Sequence, residues 1–363
     1  MIISHLTTCH KFDDHRIFYK HAALQTLLGY TVKVFGYHKS QERTLENQGV
    51  TIQLFQSKKS LSKFSRVFRA LRLLTHAIKG HQDIIIFHEP EFLLFCPFIR
   101  PFTNTIIIFD MHEDFPVLIR TRSRNKFIGL FAGSFMKFIL SIFQMFIHGN
   151  FGFSREVISK YGKRNSLVVP NYPLYRTPQN TNKFKKFSPL KIAYIGLIGK
   201  KKGANLIVEL SKYISKHNLE FELHLCGTPN FCPGFTKNDL YDLQQYDFVH
   251  FYGELNTSVM QDVLSKCHIG LCLLEDNDHH NLSKPAKIYE YVGQRNYVLF
   301  SKNLDLNNLI SNGLGEKCDF SSESLINNLL RVQKRDFSNF YNIDISSYLL
   351  NSLEYDYKNF FEN

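Results

Sequence analysis

The stretch Ser283-Lys284-Pro285-Ala286-Lys287-Ile288-Tyr289-Glu290-Tyr291 stands between two apolar runs, residues 269–274 and 297–300. Strand, loop, helix and strand in this order predict one βαβ unit of a parallel sheet. We expect Pro285 in the first turn of the helix, where its missing N–H costs nothing, and the other N–H groups there are able to bind phosphate. Glu290 lies more than a turn further along, where a carboxylate reaches hydroxyl groups beside a phosphate. The segment predicts a nucleotide site, although an ordinary amphipathic helix with a surface glutamate explains it equally well.

Length and composition favour a globular chain of two domains. The chain has 363 residues, of which 44% are hydrophobic, enough for two cores. Its formal net charge of +12 favours anionic partners such as nucleotides, nucleic acid or an anionic membrane face, or else reflects a lysine-rich proteome. The seven cysteines show no C-x-x-C spacing, which favours a reducing compartment and argues against a zinc site or a disulfide scaffold. The N-terminal residues are too few and too polar for a signal peptide.

Strand-like and helix-like patterns alternate along both halves of the chain and predict an α/β fold of two doubly wound, Rossmann-like domains facing a cleft. The predicted strands are residues 2–6, 31–35, 50–55, 83–87, 105–109, 150–154, 166–169, 191–195, 220–225, 248–252, 269–274 and 297–300. The predicted helices are residues 16–28, 61–79, 127–147, 204–215, 239–245, 257–266, 285–292, 304–311, 323–333 and 346–361. A proline-rich, aperiodic stretch predicts a linker. The expected parts are an N-terminal domain 1–172, a linker 173–189, a C-terminal domain 190–345 and a closing helix 346–363 that returns to the first domain.

One segment raises the question of membrane contact. Residues 127–147 are almost entirely apolar and about as long as a membrane span. A narrow polar stripe at spacings of three to four residues predicts a helix that is partly core and partly membrane-facing. The stripe consists of Gly133, Lys137, Ser141, Gln144 and His148. A buried core helix and a true span remain alternatives. The Lys/Arg-rich helix 61–79 of the same domain is expected to present a membrane-facing or solvated face rather than a nucleic-acid site.

Polar side chains follow several predicted strands at their carboxyl ends, where open α/β sheets bind ligands. His112, flanked by Asp110 and Glu113, is a candidate hydrogen-bond donor or acid/base, or else a structural histidine. The loop 196–203 contains Gly199-Lys200-Lys201-Lys202-Gly203, which suits a diphosphate, although a solvated basic turn has the same composition. No metal is expected, because the Asp276-Asn277-Asp278 triplet and His279-His280 lack supporting ligands at suitable spacing.

Six ordered motifs resemble a subgroup of the retaining glycosyltransferases of family 4, which have the GT-B fold. They are Asp14-x-Arg16-Ile17-Phe18-x-Lys20, Phe87-His88-Glu89-Pro90-Glu91, Asp110-x-His112-Glu113, Asn171-Tyr172-Pro173, Gly196-x6-Gly203 and Lys284-Pro285-x-Lys287-x-Tyr289-Glu290-Tyr291. The resemblance implies metal-independent sugar transfer with retention at the anomeric carbon. It implies no cofactor, the donor substrate being a UDP-, GDP- or dTDP-sugar bound mainly by the C-terminal domain.

The same resemblance implies roles for individual residues. His112, Lys202 and Glu290 match residues that contact the donor sugar, the phosphate and the ribose. The implied donor-binding set is Gly196, Gly199, Lys202, Gly203, Ser283, Lys284, Pro285 and Glu290, and the implied acceptor-side set is Arg16, His88 and Glu113. Two positions depart from the family, because Leu197 replaces a frequent arginine and Leu282 replaces the first glutamate of a pair. Compensating charge is expected from Lys284, Lys200 or Arg16.

The resemblance and the basic charge together predict a setting. We expect transfer to a glycan or a polyprenyl-diphosphate-linked acceptor in bacterial surface polysaccharide synthesis, meaning O-antigen, capsule or exopolysaccharide. The expected location is the cytoplasm, peripheral on the inner face of the cytoplasmic membrane, with an anionic membrane surface as partner and no nucleic acid. The alternatives are a nucleotide-sugar 2-epimerase of the same architecture and a non-catalytic basic protein, built on a decayed transferase, that binds membrane or nucleic acid.

Overall fold

A computed structural model of the chain describes residues 1–11, 14–38, 42–57, 63–123, 125–162, 165–174, 188–281 and 283–362. The chain divides into two compact units. The N-terminal unit comprises Met1–Leu174 together with Leu350–Asn363, and the C-terminal unit comprises Tyr175–Leu349. Most of the expected linker 173–189 lies outside the described residues.

The N-terminal unit is built on an eight-stranded sheet with the order β3-β4-β2-β1-β5-β6-β7-β8. Its strands are β1 (Ile2–Leu6), β2 (Thr31–His38), β3 (Arg43–Asn47), β4 (Val50–Gln56), β5 (Ile84–Phe87), β6 (Ile106–Met111), β7 (Gly149–Gly152) and β8 (Asn165–Val168). All neighbouring strands pair in parallel except β3 and β4. Strand β5 is buried along its whole length, as its unbroken aliphatic sequence predicts for a strand covered on both faces.

Helices cover this sheet. They are α1 (Ala23–Leu27), α2 (Lys63–Lys79), α3 (Cys96–Ile99), α4 (Phe115–Arg122), α5 (Lys126–Phe143), α6 (Arg155–Tyr161) and, from the other end of the chain, α14 (Glu354–Glu362). The predicted helix 16–28 starts as a π-helical turn, Ile17–Ala22, and ends before Gly29, whose φ of +87° favours glycine. The predicted helix 346–361 is broken, because two 3-10 turns, Ser346–Tyr348 and Leu350–Leu353, precede α14.

The C-terminal unit has a six-stranded, wholly parallel sheet with the order β13-β11-β9-β14-β15-β16, and β10 pairs separately with β12. Its strands are β9 (Leu190–Ile195), β10 (Ile198–Gly199), β11 (Phe221–Cys226), β12 (Pro229–Asn230), β13 (Val249–Gly253), β14 (Ile269–Cys272), β15 (Tyr297–Ser301) and β16 (Gly315–Cys318). Its helices are α7 (Ala204–His217), α8 (Lys237–Gln244), α9 (Thr257–Lys266), α10 (Asp278–Asn281), α11 (Ala286–Gly293), α12 (Asn307–Ser311) and α13 (Ser322–Gln333).

In both sheets the strand order reverses direction next to the strand that comes first in the sequence, β1 or β9. The order runs outward from β1 to β2 and β4 on one side and from β1 to β5 and β6 on the other, and β9 has the same position in the second sheet. This doubly wound order has its ligand crevice at the carboxyl ends of the strands that flank the reversal. The predicted α/β class with two doubly wound, Rossmann-like domains is therefore confirmed.

Helix α5 packs by its small residues and exposes its aromatic ones. A side chain at Gly133 would come within 2.6 Å of Arg120 in α4, so the two helices approach closely because residue 133 is a glycine. Gly129, Gly133 and Leu140 are buried, whereas Phe127 and Phe131 are 84% and 78% exposed. The expected core face of this helix is present and includes Gly133 of the predicted stripe, and the aromatic side chains of the other face are exposed. Contact of that exposed face with a membrane stays a prediction.

Candidate functional site

Asp110, the fifth residue of β6, is the centre of a buried polar network in the N-terminal unit. Arg16 donates two hydrogen bonds to its carboxylate, from Nε to Oδ2 at 3.0 Å and from Nη2 to Oδ1 at 2.6 Å. His21 Nε2 and His112 Nε2 lie 3.1 and 2.8 Å from Oδ2. Burial alone would raise the pKa of Asp110, but Arg16 and His112 hold this pKa well below its usual range. The aspartate is therefore a fixed anion that orients the groups around it.

A chain of histidines continues this network into the sheet. His112 Nε2 lies 2.8 Å from His88 Nδ1, His88 Nε2 lies 3.0 Å from His5 Nδ1, and His5 Nε2 lies 2.7 Å from Gln25 Oε1. Burial, with His21 as the next cause, lowers the pKa of His5 to about 3, and burial lowers the pKa of His88 well below its usual value. Each contact between two ring nitrogens requires one N–H and one lone pair, so a change of tautomer at one ring is passed to the next.

The structure brings three of the predicted N-terminal residues together. Arg16, His88 and His112 all meet at Asp110. The Arg16 side chain also donates from Nη1 to Val169 O at 2.9 Å, so its guanidinium holds the chain that follows β8. Glu113 is half-buried, and its Oε2 makes no hydrogen bond within the part of the chain that the structure describes; the structure does not place it in the Asp110 network.

Sequence reasoning missed three members of this network. His5 interrupts the apolar strand β1, His21 lies within a π-helical turn, and Gln25 lies in α1. A histidine in a buried strand was the available signal, because a buried polar side chain requires a partner. The partners themselves come from distant parts of the sequence, so no local pattern indicates them.

In the C-terminal unit the predicted phosphate loop connects β9 to α7. Gly196 and Gly203 have φ values of +96° and +82°, which L-residues rarely adopt. A side chain at Gly203 would come within 2.5 Å of Leu273, so the loop lies against the end of β14. The Tyr194 hydroxyl lies 2.9 Å from Leu197 O and 2.8 Å from Lys202 O, and it fixes both ends of the lysine-rich turn.

Helix α11 lies next to this loop because a tyrosine packs on a glycine. The buried Tyr291 ring would be within 2.2 Å of a side chain at Gly270 in β14, and its hydroxyl accepts from Ile195 N and donates to Leu271 O at 2.9 and 3.0 Å. Pro285 is the N-cap of α11 rather than its first helical residue, and no side chain caps the helix. The prediction that Pro285 lies in the first turn was therefore off by one residue.

Lys287 belongs to the last of the six motifs but not to the implied donor-binding set, and the structure adds it to this site. Its Nζ is buried and makes no hydrogen bond to any described residue, and it lies 4.0 Å from the centre of the Tyr194 ring. Its Cε would be 3.8 Å from a side chain at Gly196, so the ammonium lies beside the phosphate loop. Burial lowers the pKa of Lys287 to about 8, and Lys202 contributes in the same direction. Two lysine ammonium groups therefore lie near one another at this loop.

The other residues that were predicted to bind the donor substrate lie in α11 and in the segment that precedes it. Glu290 is 3% exposed and lies three residues after Lys287, which places both on one face of α11. The Ser283 hydroxyl donates to His280 O at 2.7 Å, and Lys284 Nζ donates to Asp305 O at 2.9 Å. These two side chains hold the segment that precedes α11. Leu282 lies outside the described residues.

A cavity of about 240 Å³ lies on the other side of the phosphate loop. Its walls come from the chain following β9, β11 and β13, and they include Gly196, Gly227, Glu254 and Met260. Glycine is required at position 227, because a side chain there would come within 1.8 Å of Gly196 O. The cavity therefore lies at the carboxyl ends of these strands, with both apolar and polar walls.

The two doubly wound sheets define the class of fold: two Rossmann-like domains in one chain, the GT-B fold. The chain is similar over 99% of its length to sucrose-phosphate synthase from Thermosynechococcus elongatus, covering 98% of that chain with a TM-score of 0.69 and 12% identity. It is similar over its whole length to the UDP-forming α,α-trehalose-phosphate synthase from Burkholderia xenovorans in complex with glucose-6-phosphate, covering 99% of that chain with a TM-score of 0.67 and 10% identity.

An E. coli trehalose-6-phosphate structure bound with UDP-2-fluoro glucose gives the same values, a TM-score of 0.67 and 10% identity over 100% of this chain and 99% of that chain. No protein-family model matches the chain, and no curated protein matches it. At these identities the likeness concerns the fold alone.

Proposed function

We propose that this protein is a retaining glycosyltransferase that moves a hexosyl group from a UDP-, GDP- or dTDP-sugar to a glycan or a polyprenyl-diphosphate-linked acceptor in bacterial surface polysaccharide synthesis. The observation that carries the proposal is the pair of lysines, Lys202 and Lys287, beside the glycine loop at the reversal point of the C-terminal sheet. The GT-B fold and its likeness to UDP-forming sugar-phosphate synthases support a nucleotide-sugar donor.

The lysine pair suits a leaving diphosphate. A buried ammonium without a hydrogen bond is costly, and a second ammonium nearby adds repulsion, as the lowered pKa of Lys287 reflects. A diphosphate between them would relieve both costs, and the charge that develops on its β-phosphate during transfer strengthens the interaction. Lys287 would thus supply the cation that the family resemblance places at Leu197, which makes metal-independent transfer reasonable. In this proposal the cavity beside Gly196 takes the nucleoside.

His112 would contact the donor sugar, as the resemblance implies. Asp110 and Arg16 support this role because they form a rigid, ion-paired anchor below the imidazole. The side chain of His112 is 10% exposed, so one edge of the ring remains accessible. No carboxylate is required as a covalent nucleophile in this scheme, and the acceptor hydroxyl attacks from the side of the leaving group.

The lipid-linked acceptor is supported by helix α5. Among the described residues, one helical segment, Lys126–Phe146, is long and apolar enough to cross a membrane by length and composition, and 22% of its most apolar window is buried. Such an exposed apolar face favours peripheral insertion into a bilayer surface. The expected contribution of α2 is smaller, since Arg66 and Arg72 pair with Glu91 and Glu42, and Arg69 donates to Thr8 O.

The test begins with donor binding. A thermal-shift panel of UDP-, GDP- and dTDP-sugars should single out one nucleotide, because a ligand at a hundred times its dissociation constant adds about 2.7 kcal/mol of stability. Transfer or hydrolysis of that donor is then followed with and without chelator, and with His112→Ala. We expect turnover that survives chelation and falls more than tenfold in the variant, while binding of the free nucleotide persists. Binding without turnover favours the non-catalytic alternative, and inversion at C2 of the sugar favours the epimerase.

A further inference from the structure

A second group of polar side chains lies on the face of the C-terminal sheet formed by β11 and the edge strand β13. Glu222 and His224 are two residues apart in β11 and therefore share a face. His250 in β13 is the register partner of His224. The three residues precede the carboxyl ends of their strands, whereas the phosphate loop and its cavity follow them.

The possible ligand atoms of these residues converge. His224 Nε2 lies 3.4 Å and His250 Nε2 lies 3.9 Å from Glu222 Oε2, and one atom from each residue lies within 4.8 Å of the others. Ligands of a tetrahedral Zn²⁺, bound at roughly 2.0–2.2 Å from the metal, are about 3.3–3.5 Å apart. The separation between Glu222 and His224 matches this spacing, and that between Glu222 and the half-exposed His250 is slightly longer.

His224 already has the outer-shell support that metal-binding histidines need. Its Nδ1 lies 3.0 Å from the Tyr252 hydroxyl, and its Nε2 is buried without a hydrogen bond in the described chain. When Nδ1–H donates to Tyr252, the lone pair of Nε2 faces a carboxylate, and a cation between them satisfies both.

Lys191 in the neighbouring strand β9 competes with a metal for the carboxylate of Glu222. Its Nζ lies 2.9 Å from Glu222 Oε2 and neutralises the carboxylate, but it leaves His224 Nε2 without a hydrogen bond. The lysine side chain is one-third exposed, so it is able to swing into solvent. Metal binding therefore requires that the ion pair between Lys191 and Glu222 breaks, and this requirement lowers the metal affinity by a measurable amount.

We infer that Glu222, His224 and His250 form a divalent-metal site suited to Zn²⁺, which binds by displacing Lys191 from Glu222. Two imidazoles and one carboxylate are a donor set that zinc favours, with water completing the tetrahedron. The site is separate from the proposed transfer chemistry. Its effect is to join the edge strand β13 to β11 and to stabilise the C-terminal unit. Sequence spacing does not indicate it, because the ligands come from two strands and include no cysteine.

The experiment compares four full-length proteins stripped of metal with EDTA: the natural chain, His250→Ala, Lys191→Met and the surface control His217→Ala. Zn²⁺ is titrated by calorimetry and by thermal shift, and Co²⁺ is added as a spectroscopic probe. We expect at least tenfold weaker Zn²⁺ binding and a loss of the tetrahedral Co²⁺ band for His250→Ala. We expect several-fold tighter binding for Lys191→Met, because the competitor is gone, and no change for His217→Ala.

The comparison between variants is the readout, because other clusters such as His88, Asp110 and His112 are also able to hold a metal. Equal Zn²⁺ affinity in the natural chain, His250→Ala and Lys191→Met overturns the inference, and so does zinc binding by Lys191→Met alone. Circular dichroism verifies that His250→Ala is folded, as expected for a half-exposed side chain. Should it fail to fold, His250→Gln, which keeps a polar side chain of similar size, replaces it with the same expected loss.

Discussion

The Asp110 network of the N-terminal unit and the lysine pair of the C-terminal unit treat buried charge in opposite ways. Asp110 is paired with Arg16 and surrounded by histidines at hydrogen-bond distance. Lys287 Nζ is equally removed from water, yet no described residue accepts a hydrogen bond from it. A paired buried anion stabilises the fold and orients the groups around it, whereas an unsatisfied buried cation stores a cost that an anionic ligand relieves. The contrast distinguishes a positioning centre from a binding centre.

The largest expected effect is a loss of stability on removal of the buried Asp110 charge. Asp110→Asn removes the anion that holds Arg16, so we expect a loss of about 3–5 kcal/mol in the free energy of unfolding. Urea denaturation followed by circular dichroism measures it. The matched control is Asp83→Asn, an exposed carboxylate that accepts from Ile2 N, with an expected loss below about 1 kcal/mol. If the two variants lose the same free energy of unfolding, the Asp110 network does not stabilise the fold more than a surface carboxylate does.

Acid should weaken the same centre in two stages. The pKa of His5 is about 3 and that of His88 is far below normal, so the unfolded chain binds more protons below about pH 6.5. Stability is therefore complete above that pH and falls on acidification by about 1.4 kcal/mol per pH unit for each histidine. Since the pKa of Asp110 is also lowered, its share is lost only below about pH 4.

Urea midpoints of the natural chain and of His5→Gln between about pH 8 and pH 4 measure these slopes. The variant should have a shallower pH dependence between pH 6.5 and 4, because it retains one buried histidine fewer. His217→Gln, an exposed position, is the control and should keep the full slope. Identical slopes in all three proteins would falsify the assignment of the neutral state to His5.

Removal of the unpaired buried charge of Lys287 should raise the stability of the ligand-free protein, whereas removal of the Asp110 charge lowers it. Lys287→Met removes a buried charge and keeps the volume, so we expect the ligand-free protein to gain about 1–2 kcal/mol of stability. Binding of UDP, measured by calorimetry, should weaken by about 1.5–3 kcal/mol because a charge-assisted hydrogen bond is lost. Binding of uridine, which has no phosphate, should not change.

Lys212→Met is the control for this pair of effects, since Lys212 is exposed and pairs with Glu209 on α7. It should alter neither quantity. A Lys287→Met protein that binds UDP normally would show that Lys287 is a packing residue. If the natural chain binds no nucleotide at all, the proposed function itself is wrong, and that result is distinct from the first.

The exposed face of α5 gives a smaller effect. Phe127→Ser with Phe131→Ser removes two side chains from a bilayer contact, at about 1.5–3 kcal/mol for each fully inserted ring. We expect flotation with anionic liposomes to fall at least tenfold. Phe68→Ser on α2, where the side chain is also 73% exposed, is the control. Retention in the membrane fraction at high salt and in carbonate would instead support a transmembrane span.

The smallest expected effect is the uptake of protons when the ligand binds. Because the pKa of Lys287 in the ligand-free protein is about 8, a bound diphosphate should raise it, and binding at about pH 8.5 should take up a fraction of one proton. Affinity is then highest below pH 8 and decreases as the pH rises. Calorimetry in two buffers of different ionisation enthalpy measures the uptake, which should vanish in Lys287→Met.

Much of the fold was predictable because its signals are local. The buried strand β5 is an unbroken run of isoleucine and phenylalanine, β6 begins with the same run, and Gly29 ends the first helix as expected. Strands β3 and β16 were missed, since one is a polar edge strand and the other, Gly315–Cys318, is short and half-polar. Both are edge strands and are less buried than central strands such as β5, so their sequences lack the apolar pattern of a strand covered on both faces.

The sequence by itself determined the two doubly wound domains, the glycine loop after β9 and the positions of His112, Lys202 and Glu290 near strand ends. Only the tertiary structure decided which of these side chains meet. His5 reaches His88 across 83 residues of sequence, and Lys287 becomes buried because Tyr291 draws α11 onto Gly270. The physical reason is that periodicity and turn chemistry depend on neighbours in sequence, whereas partners of buried charges are assigned by strand order and helix packing.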